Sequence, residues 1–348
     1  MRVIQVGLGF WGASWTDVAR AAPGVELAGV VDAAPAARRQ AVEELGLAPE
    51  QVVGSLDEAL ADLDADAVVI VTPPPSHADL AIAALEAGRH VLVEKPLAPT
   101  LAEGRSIVAA AERAGRVALT SQNYRFHPPA VSVRKTVASG ALGELVAIRI
   151  AHRKTLAPLL ADGDFRFTME HLFVLDMMIH HVDLLRAITR EEVVRVDARS
   201  WKVPDSPFAA EPQVAALLTL ESGATVAYEG DWAPRGTETS WNGDWELVGR
   251  DARLLWTGGV DDADTGDVQL IGDDGAAQRV ALPRLAATDR AGTLEALRRA
   301  VEEGEPADIT VADNVRSLAL VLACCESIET GAPVATAAPS PPPPPPPG

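Results

Sequence analysis

The stretch Val3-Ile4-Gln5-Val6-Gly7-Leu8-Gly9-Phe10-Trp11-Gly12 decides the fold. An apolar, strand-like run leads directly into a Gly-x-Gly-x-x-Gly turn, and a helical pattern follows the turn. In this context the first glycine allows a tight turn, the second lets the backbone approach a diphosphate, and the third lets helix and strand pack closely. We therefore predict a Rossmann-type domain that binds a dinucleotide through Gly7, Gly9, Phe10, Trp11 and Gly12.

The first 122 residues continue the alternation of strand and helix that this turn begins. Apolar runs predict six strands, at 2–6, 26–32, 51–54, 65–72, 90–95 and 117–122. Ser55 with Glu58, and Thr100 with Glu103, are typical of capping boxes at the start of helices. Strands that alternate with helices indicate a parallel sheet covered on both faces, which is a doubly wound α/β domain.

Asp32 ends the second predicted strand, 20 residues after Gly12. A carboxylate at this position accepts hydrogen bonds from an adenosine ribose, and it repels a 2′-phosphate by roughly 1 kcal/mol at about 4 Å in water. The sequence therefore favours NAD over NADP. Arg38 and Arg39 lie near Asp32 in the sequence and keep NADP open as the alternative.

Two further segments follow strands of the same predicted sheet. Parallel sheets hold ligands beyond the C-terminal ends of their strands, so residues after the fourth and fifth strands are expected to contact the cofactor. These residues are Thr72, Pro73, Pro74, Glu94, Lys95 and Pro96. His77 begins the next helix, where cofactor contact and an ordinary helix-start role are alternatives. Lys95 places an ammonium at this edge in a chain that has only four lysines.

The pattern changes after Asn123. A short helix from Pro128, a strand over 144–154 and a helix over 173–189 precede a series of strand-like runs, at 193–202, 213–221, 224–232, 244–249, 252–257, 267–272 and 277–282. Serial strands separated by turn residues predict a large, mainly antiparallel sheet in an α+β domain. Helices at about 289–303 and 313–330 close it.

The predicted domains follow from this change. We expect an NAD(P)-binding Rossmann domain over 1–122, a substrate-binding and oligomerisation domain over 123–336, and a disordered proline-rich tail over 337–348. A tail with seven consecutive prolines cannot pack a core, and polyproline is typical of extended segments.

The composition is that of an ordinary globular enzyme. The 348 residues are 48% hydrophobic and 23% charged, with a net charge of −19. An acidic balance without a basic run argues against nucleic acid as a partner, and no apolar run is long enough to span a bilayer. The adjacent Cys324 and Cys325 offer neither a disulfide framework nor metal spacing. The start of the chain leaves no room for a signal peptide, so the cytoplasm is the expected compartment.

Asp176-Met177-Met178-Ile179-His180-His181 is the second cluster that can do chemistry. Asp176 and His180 are four residues apart on a predicted helix, so they share a face. A neutral imidazole accepts a proton at neutral pH, and a neighbouring carboxylate orients the ring and favours its protonated form. A zinc site and a purely structural polar pair are the alternatives. The zinc site lacks a third ligand at suitable spacing, so we predict no metal.

Together these motifs resemble those of the glucose–fructose oxidoreductase, inositol dehydrogenase and rhizopine-catabolism (Gfo/Idh/MocA) family. The resemblance extends to about Val334, and it rests on the glycine turn, Asp32, Thr72-Pro73-Pro74, Glu94-Lys95-Pro96, Asn123-Tyr124-Arg125-Phe126 and Asp176-x-x-x-His180. It implies a catalytic set of Lys95, Asp176 and His180. It also implies a cis peptide bond before Pro96.

The resemblance further implies substrate contacts. The stretch 151–155 is similar to one that supplies polyol contacts in inositol dehydrogenases, so His152 and Lys154 are expected to contact substrate. Lys154 stands where the family usually has asparagine. Asn123 and Arg125 are expected to line the same cleft.

Two positions depart from the family pattern. Met178 stands where the family usually has glycine, and the approach 170–173 lacks the usual glycines. A bulky methionine at this point is expected to reshape the pocket. The departures bear on the substrate more than on the chemistry.

These observations predict an NAD(P)-dependent dehydrogenase that transfers a hydride between nicotinamide and a secondary alcohol of a sugar, inositol or related polyol. A non-catalytic dinucleotide-binding regulator and an NAD-dependent redox glycoside hydrolase are the alternatives. An uncovered face of the C-terminal sheet, with the family resemblance, predicts a homodimer or homotetramer. The sequence does not fix the sugar, the reacting carbon or the physiological direction.

Overall fold

The computed structural model describes residues 1–9, 11–258 and 262–336, so Phe10 and the predicted tail lie outside the described residues. The chain divides into two compact units. The first comprises Met1–Val131 and Leu282–Leu318, and the second comprises Ser132–Ala281 and the chain from Ala319 onward.

The first unit contains a parallel sheet among its described residues. Its strands are β1 (Arg2–Val6), β2 (Glu26–Val31), β3 (Val52–Val53), β4 (Ala67–Ile70), β5 (His90–Val93) and β6 (Ala118–Thr120). They lie in the order β3-β2-β1-β4-β5-β6, and every pairing is parallel. This order confirms the predicted doubly wound sheet. It also brings the ends of β1, β2, β4 and β5 to one edge of the sheet.

The α-helices follow the predicted pattern closely. They are α1 (Gly12–Ala21), α2 (Pro35–Glu43), α3 (Leu56–Asp62), α4 (His77–Glu86), α5 (Leu101–Ala114), α6 (Pro128–Ala138), α7 (Ile179–Thr189), α8 (Asp289–Glu302) and α9 (Val311–Thr330). Thr100 and Glu103 form the predicted reciprocal capping box at the start of α5. Ser55 caps α3, whereas the Glu58 carboxylate accepts from the backbone of Gly54 instead.

Helix α8 packs in the first unit. Its Leu294 and Leu297 are fully buried and belong to the same hydrophobic core as Val3 and Trp15. The packing units therefore differ from the predicted domains, which placed this helix with the C-terminal sheet. The apolar face of α8 accounts for the difference, because burying it in the first core removes it from water.

The second unit contains a larger sheet. Its strands are β7 (Leu145–Arg153), β8 (Val193–Trp201), β9 (Gln213–Leu220), β10 (Thr225–Asp231), β11 (Asp244–Gly249), β12 (Ala252–Thr257), β13 (Asp267–Gly272), β14 (Ala277–Arg279) and β15 (Val334–Ala335). They lie in the order β14-β13-β12-β11-β7-β10-β9-β8-β15. The pairing of β7 with β10 is parallel and the others are antiparallel. The prediction of a mainly antiparallel sheet is confirmed; β15 was missed because two residues carry no period.

One face of this sheet is exposed. Buried and exposed side chains alternate along β9 and β10, as they do when one face packs on a core. The exposed face carries both large apolar and charged side chains, including Leu217, Trp201 and Arg149. Among the described helices, none combines the length and the apolarity that crossing a membrane requires.

Candidate active site

The glycine turn after β1 leaves an opening at its middle glycine. Gly7 has φ +104°, and a Cβ there would lie 2.9 Å from the backbone nitrogen of Thr72. A Cβ on Gly12 would lie 2.6 Å from the carbonyl oxygen of Gly7. A Cβ on Gly9 would meet no described atom within 4 Å. The outer glycines therefore permit close packing, and the middle one leaves room for a ligand.

Gln5 holds this turn from beneath. Its side-chain Nε2 donates to the carbonyl oxygens of Gly7 and Gly12, at 3.0 and 2.8 Å. The Thr16 hydroxyl donates to its Oε1 over 3.0 Å, and Gln5 is almost fully buried. We did not predict this role. The available signal was a polar side chain in the centre of a strand that is otherwise apolar.

Asp32 follows β2 at the predicted edge. Its carboxylate accepts from the backbone N–H groups of Leu8 and Ala34, at 2.9 and 2.8 Å. The Arg38 guanidinium donates to the carbonyl oxygens of Asp32 and Ala33. The acid is thereby fixed beside the glycine turn, and Arg38 is held close to it by backbone groups.

His77 connects the loops that follow β4 and β5. Its Nε2 lies 2.7 Å from the carbonyl oxygen of Thr72, and its Nδ1 lies 2.9 Å from that of Pro96. Burial lowers the pKa of His77, although the two carbonyl groups act in the opposite direction. A fully buried ring has no surface for a ligand. The predicted cofactor contact is therefore replaced by a tie between two loops.

Lys95 stands at the C-terminal end of β5 and is half-buried. The Glu94 carboxylate accepts from the indole Nε1 of Trp15 and from the backbone N–H of Lys95, both at 2.9 Å. The peptide bond between Lys95 and Pro96 is cis, as the resemblance implied. Trp15 on α1 thus fixes the backbone that carries the lysine.

Asn123 and Arg125 take part in contacts within the first unit. Arg125 is almost buried, and its guanidinium donates to the Asp308 carbonyl at 2.5 Å and to the Asp313 carboxylate at 2.6 Å. Asn123 donates to the Asp289 carboxylate. Arg125 therefore forms an ion pair that holds Asp313 in the first turn of α9, and its contact with substrate stays a prediction.

In the second unit, the segment around Asp176 differs from the predicted regular helix. Val174–Met178 forms a π-helical turn that continues into α7. A π turn has i to i+5 hydrogen bonds, and such turns are frequent at functional sites. The prediction that Asp176 and His180 share a face was argued from α-helical spacing, and it stays a prediction for this turn. Met178 is fully buried, so its side chain packs inside the fold.

Arg166 pairs with the predicted catalytic aspartate. Its Nε donates to Asp176 Oδ1 at 3.2 Å, and its Nη1 lies 3.3 Å from both oxygens of Asp164. The three side chains are 7 to 11% exposed. A guanidinium between two nearly buried carboxylates leaves one net negative charge. Sequence reasoning missed this pair because Arg166 lies in an irregular segment.

His152 occupies an aromatic cluster. Its ring lies 5.0 Å from that of His181 and 5.3 Å from that of Trp232, measured between ring centres. It is fully buried, and neither ring nitrogen has a hydrogen-bond partner among the described residues. Burial, followed by His181 and Lys154, holds the pKa of His152 well below its usual value. A buried neutral ring does not match the predicted substrate contact.

His181 lies beside His152 and is also buried. Its Nδ1 lies 2.7 Å from the hydroxyl of Tyr228, and its Nε2 lies 3.4 Å from the carbonyl of Trp241. Burial lowers the pKa of His181 to about 4. His180 precedes it at the start of α7 and is 6% exposed.

Lys154 follows β7 and is nearly buried. Its Nζ lies 3.3 Å from Glu238 Oε2 and 5.3 Å from the centre of the Trp241 ring. Hydrogen bonds from Thr155, and then the Lys154 ammonium, lower the pKa of Glu238. An ammonium, a carboxylate and an indole thus converge beyond this strand. Glu238 and Trp241 were not predicted, because they come from a turn some 85 residues away.

Two family models match the chain. "Oxidoreductase family, NAD-binding Rossmann fold" matches residues 1–122, and "GFO/IDH/MocA C-terminal domain" matches residues 131–255. The chain belongs to the Gfo/Idh/MocA family. As a Gfo/Idh/MocA protein it is an NAD(P)-dependent oxidoreductase, which confirms the predicted class of enzyme and the predicted nicotinamide cofactor.

Relatives in the Gfo/Idh/MocA family carry names of sugar and inositol enzymes. The 1,5-anhydro-D-fructose reductase of Ensifer adhaerens is 30% identical over 281 residues, which is 80% of this chain and 82% of the relative. Inositol 2-dehydrogenase 1 of Saccharopolyspora erythraea is 29% identical over 341 residues, 96% of each chain. The solved structure of an oxidoreductase from Agrobacterium radiobacter in complex with NAD⁺, L-tartaric acid and magnesium superposes with a TM-score of 0.86 at 22% identity, covering 97% of this chain and 98% of that one.

The residues of the first unit fit NAD. The opening at Gly9, the first turn of α1 and the fixed Asp32 carboxylate correspond to the places where the fingerprint holds the diphosphate and the adenosine ribose. In the described part of the chain, no three His, Cys, Asp or Glu side chains are grouped to hold a metal ion.

Proposed function

We propose that this oxidoreductase transfers a hydride between NAD and a secondary alcohol of a sugar, inositol or related polyol. The observation that carries the proposal is Lys95, an ammonium at the C-terminal end of β5 whose backbone is fixed by Glu94 and Trp15. Bound NAD would supply the hydride acceptor at its nicotinamide ring. Lys95 would donate a hydrogen bond to the substrate oxygen and stabilise the negative charge that develops there.

His180 and Asp176 complete the proposed chemistry. His180 would take the hydroxyl proton as the general base, because imidazole titrates near neutral pH. Asp176 would orient the substrate or His180. The contact with Arg166 supports a fixed position of the Asp176 carboxylate.

The proposed substrate class rests on polar side chains in the second unit and on the names of relatives. Lys154 and Glu238 offer donors and an acceptor for hydroxyl groups, and Trp241 offers an apolar face for a sugar ring. Two of the relatives are named as a reductase of 1,5-anhydro-D-fructose and a dehydrogenase of inositol. The prediction that Asn123, Arg125 and His152 contact substrate has less support. Asn123 and Arg125 bond to other residues, and His152 is fully buried.

Asp32 favours NAD over NADP, the exposed sheet face favours an oligomer, and the cytoplasm stays the expected compartment. The Asp32 carboxylate is held beside the glycine turn, where it would repel a 2′-phosphate. The exposed sheet face with Leu217 and Trp201 supports a homodimer or homotetramer. A monomer by light scattering would contradict the oligomer.

The deciding experiment follows NADH absorbance with purified protein, NAD or NADP, and a panel of inositols, aldoses and sugar acids. Turnover with one polyol, faster with NAD, is expected. If NAD binds but no member of the panel reacts and glycosides are cleaved without net NADH, the redox hydrolase replaces this proposal. If neither reaction occurs, the regulator replaces it.

A further inference from the structure

Arg290, the second residue of α8, lies against the first turn of α1. Its Nη1 donates to the hydroxyl of Ser14 at 2.5 Å, and its guanidinium carbon lies 5.3 Å from the centre of the Trp11 ring. The Ser14 hydroxyl in turn donates to the carbonyl of Trp11 at 2.8 Å. A cation from a segment 276 positions away is thereby fixed beside the dinucleotide motif.

The glycine turn has no cation of its own. Between Arg2 and Arg20 the chain contains neither lysine nor arginine. Helix α1 has no acidic residue in its first turn, so its N-terminus remains suited to an anion. A diphosphate that approaches a protein of net charge −19 gains from a local positive charge at this point.

The acid beside Arg290 already has other partners. Asp289 Oδ2 lies 3.5 Å from Arg290 Nε, while its Oδ1 accepts from Asn123 and lies 3.5 Å from His127 Nε2. Burial would raise the pKa of Asp289, but the hydrogen bonds from His127 and Asn123 outweigh it and lower the pKa. The contacts of the Arg290 guanidinium run through Nη1, to Ser14, and through Nε, to Asp289, and the side chain is 19% exposed. A guanidinium has five N–H donors, so donors remain for a ligand.

We propose that Arg290 binds the diphosphate of NAD and closes the cofactor site from the side of α8. A planar guanidinium suits phosphate oxygens better than an ammonium does, because it donates two parallel hydrogen bonds. The inference rests on the NAD-binding fold and not on the proposed substrate. A failure to oxidise polyols therefore leaves it intact.

The test measures dissociation constants by tryptophan fluorescence and calorimetry for NAD, ADP-ribose and adenosine. Arg290→Met removes the charge but keeps the length of the side chain. Arg299→Met is the matched control on the same helix, since Arg299 pairs with Glu303 and Glu305 and is 47% exposed. For Arg290→Met we expect about tenfold weaker binding of NAD and ADP-ribose, unchanged adenosine, and a smaller salt dependence.

Two outcomes would overturn the proposal. NAD affinity equal to that of the wild type would remove Arg290 from the site. Equal losses for NAD and adenosine would reduce Arg290 to a packing residue between α8 and α1. If Arg290→Met does not fold, Arg290→Lys decides, because it keeps the charge and loses the fork. NAD and ADP-ribose should then bind about threefold more weakly with adenosine unchanged, and unchanged NAD affinity would contradict the assignment.

Discussion

Side chains at the cofactor edge of the first unit and polar side chains of the second unit bond to different kinds of partner. At the cofactor edge, Gln5, Asp32 and His77 bond to backbone N–H and carbonyl groups. In the second unit, Asp176 pairs with Arg166, and Lys154 pairs with Glu238. One region is shaped by main-chain geometry, the other by pairs of side chains.

This difference predicts how each region responds to substitution. Backbone groups are present whatever the sequence, so a site built on them is retained while side chains vary. A buried side-chain pair depends on both members, because removal of one leaves the other unpaired at a cost of several kcal/mol. We therefore expect substitutions at the cofactor edge to be tolerated better than substitutions in the two side-chain pairs of the second unit.

The largest expected effect separates chemistry from binding within the first unit. Lys95→Ala should lower kcat by about 10³-fold, because it removes the ammonium that stabilises the substrate oxyanion. The NAD dissociation constant should change little, since backbone groups hold that edge. Steady-state kinetics and NAD titration check both. Lys202→Ala, an exposed lysine of the second unit, is the control, and near-normal turnover in Lys95→Ala would remove lysine from the mechanism.

The second prediction breaks a side-chain pair. Arg166→Met leaves two nearly buried carboxylates without their cation, so the free energy of unfolding should fall by about 3 kcal/mol and kcat should fall with it. Urea unfolding and kinetics provide the measurement. Arg199→Met breaks an exposed pair with Asp197 and should cost less than about 1 kcal/mol. Similar losses in the two variants would contradict the comparison.

The third prediction concerns cofactor choice. Asp32→Ser removes the charge that repels a 2′-phosphate, so the ratio of kcat/KM for NADP to that for NAD should rise by about tenfold. The double variant Asp32→Ser, Arg38→Met should lose this gain if Arg38 contacts the phosphate. An unchanged ratio in the single variant would show that Asp32 does not discriminate between NAD and NADP.

The fourth prediction concerns pH and the aromatic cluster. The pKa values of His152 and His181 are lowered in the folded state by burial, so the unfolded state takes up protons first as the pH falls. Stability should therefore be fully present above about pH 6.5 and decrease toward about pH 4 for His181, by about 1.4 kcal/mol per pH unit for each histidine.

Substitution of His152 sharpens this prediction. His152→Phe and His152→Gln should both remove one histidine's share of the slope. The phenylalanine variant should be more stable by about 1 kcal/mol or more, because glutamine leaves polar atoms without partners. Unfolding measured between acid and neutral pH decides. A slope equal to that of the wild type in both variants would show that His152 does not titrate with folding.

The sequence predicted those features that depend on local periodicity. All six strands of the first sheet and the glycine turn were found because strand, turn and helix signals lie within a few residues of each other. The sequence predicted a regular helix over 173–189 and did not reveal the π turn at Val174–Met178, because the apolar residues there are spaced as in an α-helix.

Pairings across long sequence separations were not predictable in the same way. Arg125 and Asp313 are 188 residues apart, and Arg290 and Ser14 are 276 apart. No periodicity connects such residues, because only the packing of complete elements brings them together. His152 illustrates the converse. Its resemblance to a substrate residue was local, whereas its burial depends on the rings of four residues that are distant in the sequence.

Strand β7 has a consequence for how the second unit folds. Strands β8 to β10 form one antiparallel series and β11 to β14 another, and β7 lies between β10 and β11 as the junction of the two. Each series can form from neighbouring hairpins, but β7 must pair with strands that leave the ribosome about 75 and 95 residues after it. Because such non-local pairing is slow, we expect two separate ribbons to form first and β7 to join them last, which also sets the moment at which Lys154 reaches its place.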